Sequence, residues 1–138
     1  MKQRKVGDSF HYAFSGLFYV LKSQPHMRFH FIAAIGVLLS TLILKLNTLE
    51  MLYLFMTISL VLVAEMFNTC IEALMDVLAE HPNPHAKIAK DVAAGGVLVA
   101  SINAVIVAAS VLLPKIVAAV RVFGVKQLMF RRCGWVLA

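Results

Sequence analysis

Three long apolar stretches, each broken by a short polar interval, organise the chain. Residues 29–46, FHFIAAIGVLLSTLILKL, include only His30, Ser40, Thr41 and Lys45 as clearly polar positions. That length is close to the ~20 residues a spanning helix needs, so a first transmembrane helix is predicted here. Asn47 and Thr48 form a short turn, and a second helix is predicted over residues 49–78. At ~1.5 Å per residue it outruns a hydrocarbon core of about 30 Å and must project beyond it. The stretch AEHPNPHAK, with Pro82 and Pro84, reads as a loop, and a third helix is predicted over residues 86–120. Before all three, Phe10, Phe14, Leu17, Phe18 and Leu21 recur at helical spacing, with His11, Ser15 and Lys22 on other faces. This segment, residues 6–23, suits an amphipathic helix lying at the membrane surface, and Pro25 disfavours its continuation through Gln24.

Composition supports the pattern. With 138 residues and 61% hydrophobic positions, the chain is too apolar for an ordinary soluble domain, and one small all-α membrane protein is expected. The formal charge of +6 forms no stripe interleaved with stacking aromatics, so no nucleic-acid partner is expected; basic flanks suit anionic headgroups better. Cys70 and Cys133 are the two cysteines, without the spacing of a disulfide framework or a zinc site, and both are expected to be packing residues. The start, MKQRKVGDSF, lacks the apolar core and small-residue cleavage site of a signal peptide and is expected to be retained.

Charge distribution suggests orientation. Lys2, Arg4, Lys5, Lys22 and Arg28 precede the first span and Lys87 and Lys90 precede the third, whereas the link between the first two spans holds Lys45. The N-terminus and the proline loop should therefore face the cytoplasm, and the C-terminus the other side. Arg121, Lys126, Arg131 and Arg132 in the tail run against that rule. The tail is read either as an interfacial segment or as one that re-enters the membrane.

Residues 64–76, AEMFNTCIEALMD, carry Glu65, Asn68, Glu72 and Asp76. On a helix advancing ~100° per residue these fall near ~0°, ~300°, ~340° and ~20°, one narrow face. Counting ~1.5 Å per residue from Leu49, Glu65 sits about 24 Å along the axis and Glu72 about 35 Å, at the inner edge of the hydrocarbon and at headgroup level respectively. Intramembrane acids are costly and functional by default, so Glu65 is a candidate base, while Glu72 and Asp76 can stay ionised and attract a cation. The competing account has these acids pair with Lys87, Lys90 or Arg28 merely to hold helices together.

A second cluster places Lys87, Lys90 and Asp91 in the first turns of the third helix, ahead of Ala93, Ala94, Gly95 and Gly96. The small residues permit close helix approach and are read as packing. Lys90 and Asp91 stand at the height of Glu72 and Asp76, where a solvated salt-bridge turn is the plain alternative to a ligand site. His11, His26, His30, His81 and His85 are read as solvated interfacial residues.

EMFNTCIEALMD followed by AKIAKDVAAGGVLVA resembles the prokaryotic diacylglycerol kinase family of small integral membrane lipid kinases, over about residues 9–116. The early RFH, the HPNPHAK loop and PKI are more similar to the Gram-positive branch, whose members phosphorylate undecaprenol. The resemblance implies a homotrimer of three-span subunits, each with a surface helix, and active sites between neighbouring chains. It implies Glu65 as general base for the lipid hydroxyl, Asn68 as support for the reacting groups, and Glu72 as a ligand of the Mg2+ that bridges the ATP phosphates. Asp76, Lys90 and Asp91 would contribute to the nucleotide site, with Lys5, Tyr12, His81 and Asn83 as further contacts. Where the family has a glutamate before the first span, this chain has Gln24, a neutral and weaker magnesium ligand. Residues 1–120 would form the kinase unit and residues 121–138 a basic tail of unassigned role.

The expected chemistry is phosphoryl transfer by positioning and charge neutralisation, with neither a GxxxxGK[ST] loop nor a glycine-rich kinase loop to hold ATP. Undecaprenol is the favoured acceptor and diacylglycerol a close second. A small ion-coupled transporter using Glu65 is the rival from another class, and an assembly subunit without chemistry is a third. The transporter explains one buried acid but not three acids and an amide descending one face toward Lys90 and Asp91.

Overall fold

The computed structural model describes residues 6–79, 81 and 83–133, with side chains described as far as Val122. It consists of four helices, α1 (Val6–Ser23), α2 (Pro25–Leu44), α3 (Thr48–Leu78) and α4 (Pro84–Cys133). The last three are long and apolar enough to cross a membrane. Large apolar side chains such as Leu42, Ile43, Phe55, Val99 and Val105 stay exposed along them, which suits lipid rather than water as the solvent. This is an all-helical membrane protein.

Each boundary has a local cause. Gln24 is extended, at φ −105° and ψ 115°, and ends α1. Pro25 then opens α2 at its first position, where its missing N–H is not needed and its fixed φ suits a helix start. The first span therefore begins four residues before the predicted Phe29. It ends at Leu44, because Lys45 turns into the left-handed region at φ 49°. Asn47 caps α3: its side chain accepts from the Glu50 amide at 2.9 Å, while the Glu50 carboxylate accepts from the Asn47 amide at 2.8 Å. Arg28 reaches back to the carbonyls of Leu21 (2.9 Å) and Lys22, so it closes the end of α1 rather than meeting an acid.

Beyond the predicted end at residue 120, α4 continues to Cys133. Pro114 lies inside it; a spanning helix tolerates the lost hydrogen bond, and the residues that follow carry no strong stop. The tail is thus helical through Cys133, whereas residues 134–138 lie outside the described part, as does Lys5.

Packing centres on α3, which lies against α4 along most of its length and against α2 on its other flank. Leu54 and Val61 are buried on one face, and Glu65, Asn68 and Thr69 continue it. The core stripe of the helix thus becomes the polar stripe as it nears its C-terminal end. Met27 and Ala34 of α2 and Ala100 of α4 are the buried counterparts. Two ion pairs, Asp76 with Lys90 and Glu50 with Lys115 (3.1 Å), pin the two ends of the antiparallel α3–α4 pair. The small residues of α4 do not serve close approach inside this chain: a Cβ at Gly95 or Gly96 would meet nothing within 4 Å. Cys70 is exposed, not packed.

Candidate active site

The polar face of α3 faces two partners. Toward the C-terminal end of α3, the Glu72 carboxylate receives two amides, Gln24 Nε2 donating to Oε2 and Asn68 Nδ2 donating to Oε1, each at 3.0 Å. Gln24 can do this because it is the unwound residue between α1 and α2, free to point across to α3. Asn68 sits one turn before Glu72 on the same face. Its amide nitrogen is engaged, but its Oδ1 is buried without a hydrogen-bond partner among the described residues, and such an atom costs about 1–3 kcal/mol unless something meets it.

Glu65 is 3% exposed. The Thr69 hydroxyl donates to its backbone carbonyl at 2.9 Å; its carboxyl group has no hydrogen bond or ion pair among the described residues. A carboxyl buried in this way and left chemically open suits a proton acceptor better than a helix-packing residue.

Toward the loop, Asp76 pairs with Lys90. Asp76, His81, Asn83, Lys87 and Lys90 together line a hollow of about 370 Å³. Lys90 thus pairs with an acid of α3, not with its neighbour Asp91, which is exposed and does not line the hollow. Asn83 has a structural task as well, because its Oδ1 accepts from the His85 amide at 2.9 Å at the start of α4. Tyr12 is exposed on α1, its ring edge-on to His11 at 5.8 Å. The structure therefore brings Gln24, Asn68 and Glu72 into one cluster and Asp76, His81, Asn83 and Lys90 into another, with Glu65 deeper on the same helix. Asp91 belongs to neither.

Thr69 escaped the sequence reading, and Lys87, placed in the second cluster, was given no ligand role. Lys87 stands one turn before Lys90, and that spacing was the available signal. Thr69 is buried beside Glu65, and nothing in its identity distinguishes it from any helical threonine.

The donor set suits a hard cation. Turning either amide about its terminal bond would present Gln24 Oε1 or Asn68 Oδ1 beside the Glu72 oxygens, an all-oxygen cluster with one formal charge. Mg2+ commonly uses one or two carboxylates and takes its other ligands from water and substrate phosphates. No cluster of three or more His, Cys, Asp or Glu occurs among the described residues, so Glu72, Gln24 and Asn68 fit a metal that arrives with a nucleotide better than a resident one.

Comparison with known proteins gives a family match over residues 11–112, to the prokaryotic diacylglycerol kinases. A Synechocystis protein named diacylglycerol kinase is 38% identical over 107 residues, 77% of this chain and 61% of that protein. A Bacillus subtilis protein named undecaprenol kinase is 32% identical over 108 residues, 78% of this chain and 88% of that protein. The chain thus matches less than two thirds of the length of the Synechocystis relative.

Proposed function

This chain belongs to the prokaryotic diacylglycerol kinase family, and from that premise we propose that it transfers the γ-phosphoryl group of ATP to the hydroxyl of a membrane lipid alcohol. Undecaprenol is the favoured acceptor and diacylglycerol the second. The observation that carries the reading is the descent of one α3 face from the Glu65 carboxyl, buried and unpaired among the described residues, through the amide-held Glu72, to the Asp76–Lys90 hollow.

Each level has a task. A lipid alcohol keeps its hydroxyl near the headgroups, at the depth of Glu65, whose carboxylate takes the hydroxyl proton as the oxygen attacks phosphorus. Asn68 orients Glu72 through its N–H and offers its unpaired Oδ1 to the reacting groups. Bound through Glu72 and the Gln24 amide oxygen, Mg2+ would supply neutralisation of charge on the phosphates. Lys90, released from Asp76 as a phosphate approaches, places its ammonium beside the triphosphate, and Lys87, His81 and Asn83 line the same hollow. Lys5, Tyr12 and Asp91 retain only the support of the family resemblance.

The basic residues beside Glu72 and the loop favour a cytoplasmic site in a bacterial plasma membrane. The cleft of about 590 Å³ between α3 and α4, bordered by Asn68, Ala93 and Gly96, has room for side chains from a helix of a neighbouring subunit, which fits a homotrimer with shared sites. The test is Mg2+-dependent ATP consumption by the full chain in detergent with undecaprenol, with diacylglycerol or without lipid. Lipid-dependent turnover supports the kinase; turnover that ignores both lipids, or none at all, rejects it in favour of a transporter or an assembly subunit.

A further inference from the structure

The register of the three spans places two more polar side chains at the level of Glu65. Along α3, Glu65 lies eleven residues from Asp76; eleven residues from its partner Lys90 along α4 is Ser101. The second ion pair, Glu50 with Lys115, holds the same register within one residue at the far end. On the other flank, Glu65 is seven residues from Glu72, and seven residues from Gln24 along α2 is Phe31, next to His30. The two registers thus bring His30, Glu65 and Ser101 to about the same level on three helices.

His30 and Ser101 both line a groove of about 270 Å³ enclosed by α2, α3 and α4. Its α3 wall includes Val61 and Leu62, four and three residues before Glu65 and therefore one turn beneath it on the same side of the helix. Ser101 is unusual here. The hydroxyls of Ser40, Thr41, Thr57, Ser59, Thr69 and Ser110 all donate to carbonyls of their own helices. Among the described residues the Ser101 hydroxyl makes no such bond, and the His30 ring has an edge contact to Phe29 at 5.7 Å and no hydrogen bond. Two polar groups without hydrogen bonds among the described residues thus line an apolar groove whose α3 wall reaches to one turn from Glu65.

We infer that His30 and Ser101 are positioning residues for the acceptor hydroxyl, and that the groove beneath them holds the first segment of a polyprenol chain. This rests on the lipid kinase reading and assigns the subsite within it. With Glu65 taking the hydroxyl proton, the oxygen retains lone pairs that Ser101 Oγ–H or a His30 N–H can meet, fixing its direction toward the nucleotide. Below that level the groove offers Ala34, Val61, Leu62 and Ala104, and the Thr57 hydroxyl is already turned to Tyr53 and Leu54. The ester carbonyls of a glycerolipid would be buried there without donors, whereas a polyprenol has no polar group past its hydroxyl.

The experiment is steady-state kinetics of the full chain in mixed micelles, with undecaprenol and with diacylglycerol. Ser101→Ala and His30→Leu are expected to raise the KM for undecaprenol about five- to tenfold each, the effect of one lost hydrogen bond, while the KM for ATP is unchanged. Ser101→Thr and His30→Gln, which keep a donor, should recover most of the loss. Ala104→Leu, which narrows the groove, should raise the same KM without touching that for ATP. Unchanged lipid KM values, or equal shifts for ATP, overturn the assignment while leaving the kinase intact. A wild-type preference for diacylglycerol overturns the polyprenol groove alone, and no lipid phosphorylation by wild type removes the kinase reading beneath it.

Discussion

Replacing Gln24 by glutamate would put a second carboxylate against Glu72, and the structure gives the size of the effect. Gln24 Nε2 now donates to Glu72 Oε2 at 3.0 Å, a hydrogen bond to a charged acceptor that contributes about 1.5–3 kcal/mol. In Gln24→Glu that bond is lost and two negative charges face each other; relaxed to about 4 Å at an effective dielectric near 20, they repel by about 4 kcal/mol. Gln24 also stands at the N-cap of α2, where a negative charge gains roughly 0.3–1 kcal/mol from the helix dipole. Repulsion wins, so without divalent cation the variant should melt at a lower temperature than wild type. With Mg2+ the sign reverses, because two carboxylates bind a hard cation better than a carboxylate and an amide. The assay is thermal unfolding in detergent across a Mg2+ titration, paired with initial rates over the same titration at fixed free ATP. The expected result is lower stability without Mg2+, recovery with it, and a half-saturating Mg2+ concentration at least about tenfold below that of wild type, equivalent to about 1.4 kcal/mol. A variant with unchanged melting and an unchanged Mg2+ response would refute the view that Gln24 and Glu72 share a cation.

At the opposite end of the spans, Lys115→Met removes the ion pair to Glu50 but leaves the capping box of Asn47 and Glu50, so a loss of no more than about 1 kcal/mol is expected in denaturant unfolding. Glu50→Ala removes both, and should cost about 1 kcal/mol more. Lys90→Met should raise the KM for ATP roughly tenfold or more while leaving the KM for lipid unchanged, as an ammonium that meets only the nucleotide requires; an equal rise for both substrates would contradict the separation of the two levels.

The spans were legible from hydrophobic runs because lipid exposure leaves few constraints on them beyond length. The surface helix and its end at Gln24 followed from periodicity and Pro25. The start of α2 was misjudged because His26 and Arg28 interrupt apolarity, whereas Pro25 at the first helical position starts the helix regardless of polarity. The end of α4 was placed short because the basic residues from Arg121 onward were set apart as a tail, whereas the backbone stays helical to Cys133. Within the site, one-helix geometry aligned Glu65, Asn68, Glu72 and Asp76, since a period of ~3.6 is enough for residues on a single helix. Cross-helix pairings were only loosely readable from local pattern: Lys90 was one of three partners offered for the acids, and its choice of Asp76 and the levelling of His30 and Ser101 with Glu65 depend on register between helices. Gln24 beside Glu72 was anticipated through family resemblance alone.

The central claim is that Glu65 takes the proton of a lipid hydroxyl, and Glu65→Gln tests it most directly. The substitution keeps size and hydrogen-bonding capacity at a position 3% exposed and removes the base. The full chain and the variant are inserted into vesicles containing undecaprenol and diacylglycerol and supplied with labelled ATP and Mg2+. Wild type should transfer label to lipid, and the variant, equally inserted and still binding ATP, should fall by at least about 100-fold, as loss of a general base implies. Label transfer by the variant at the wild-type rate would contradict the account.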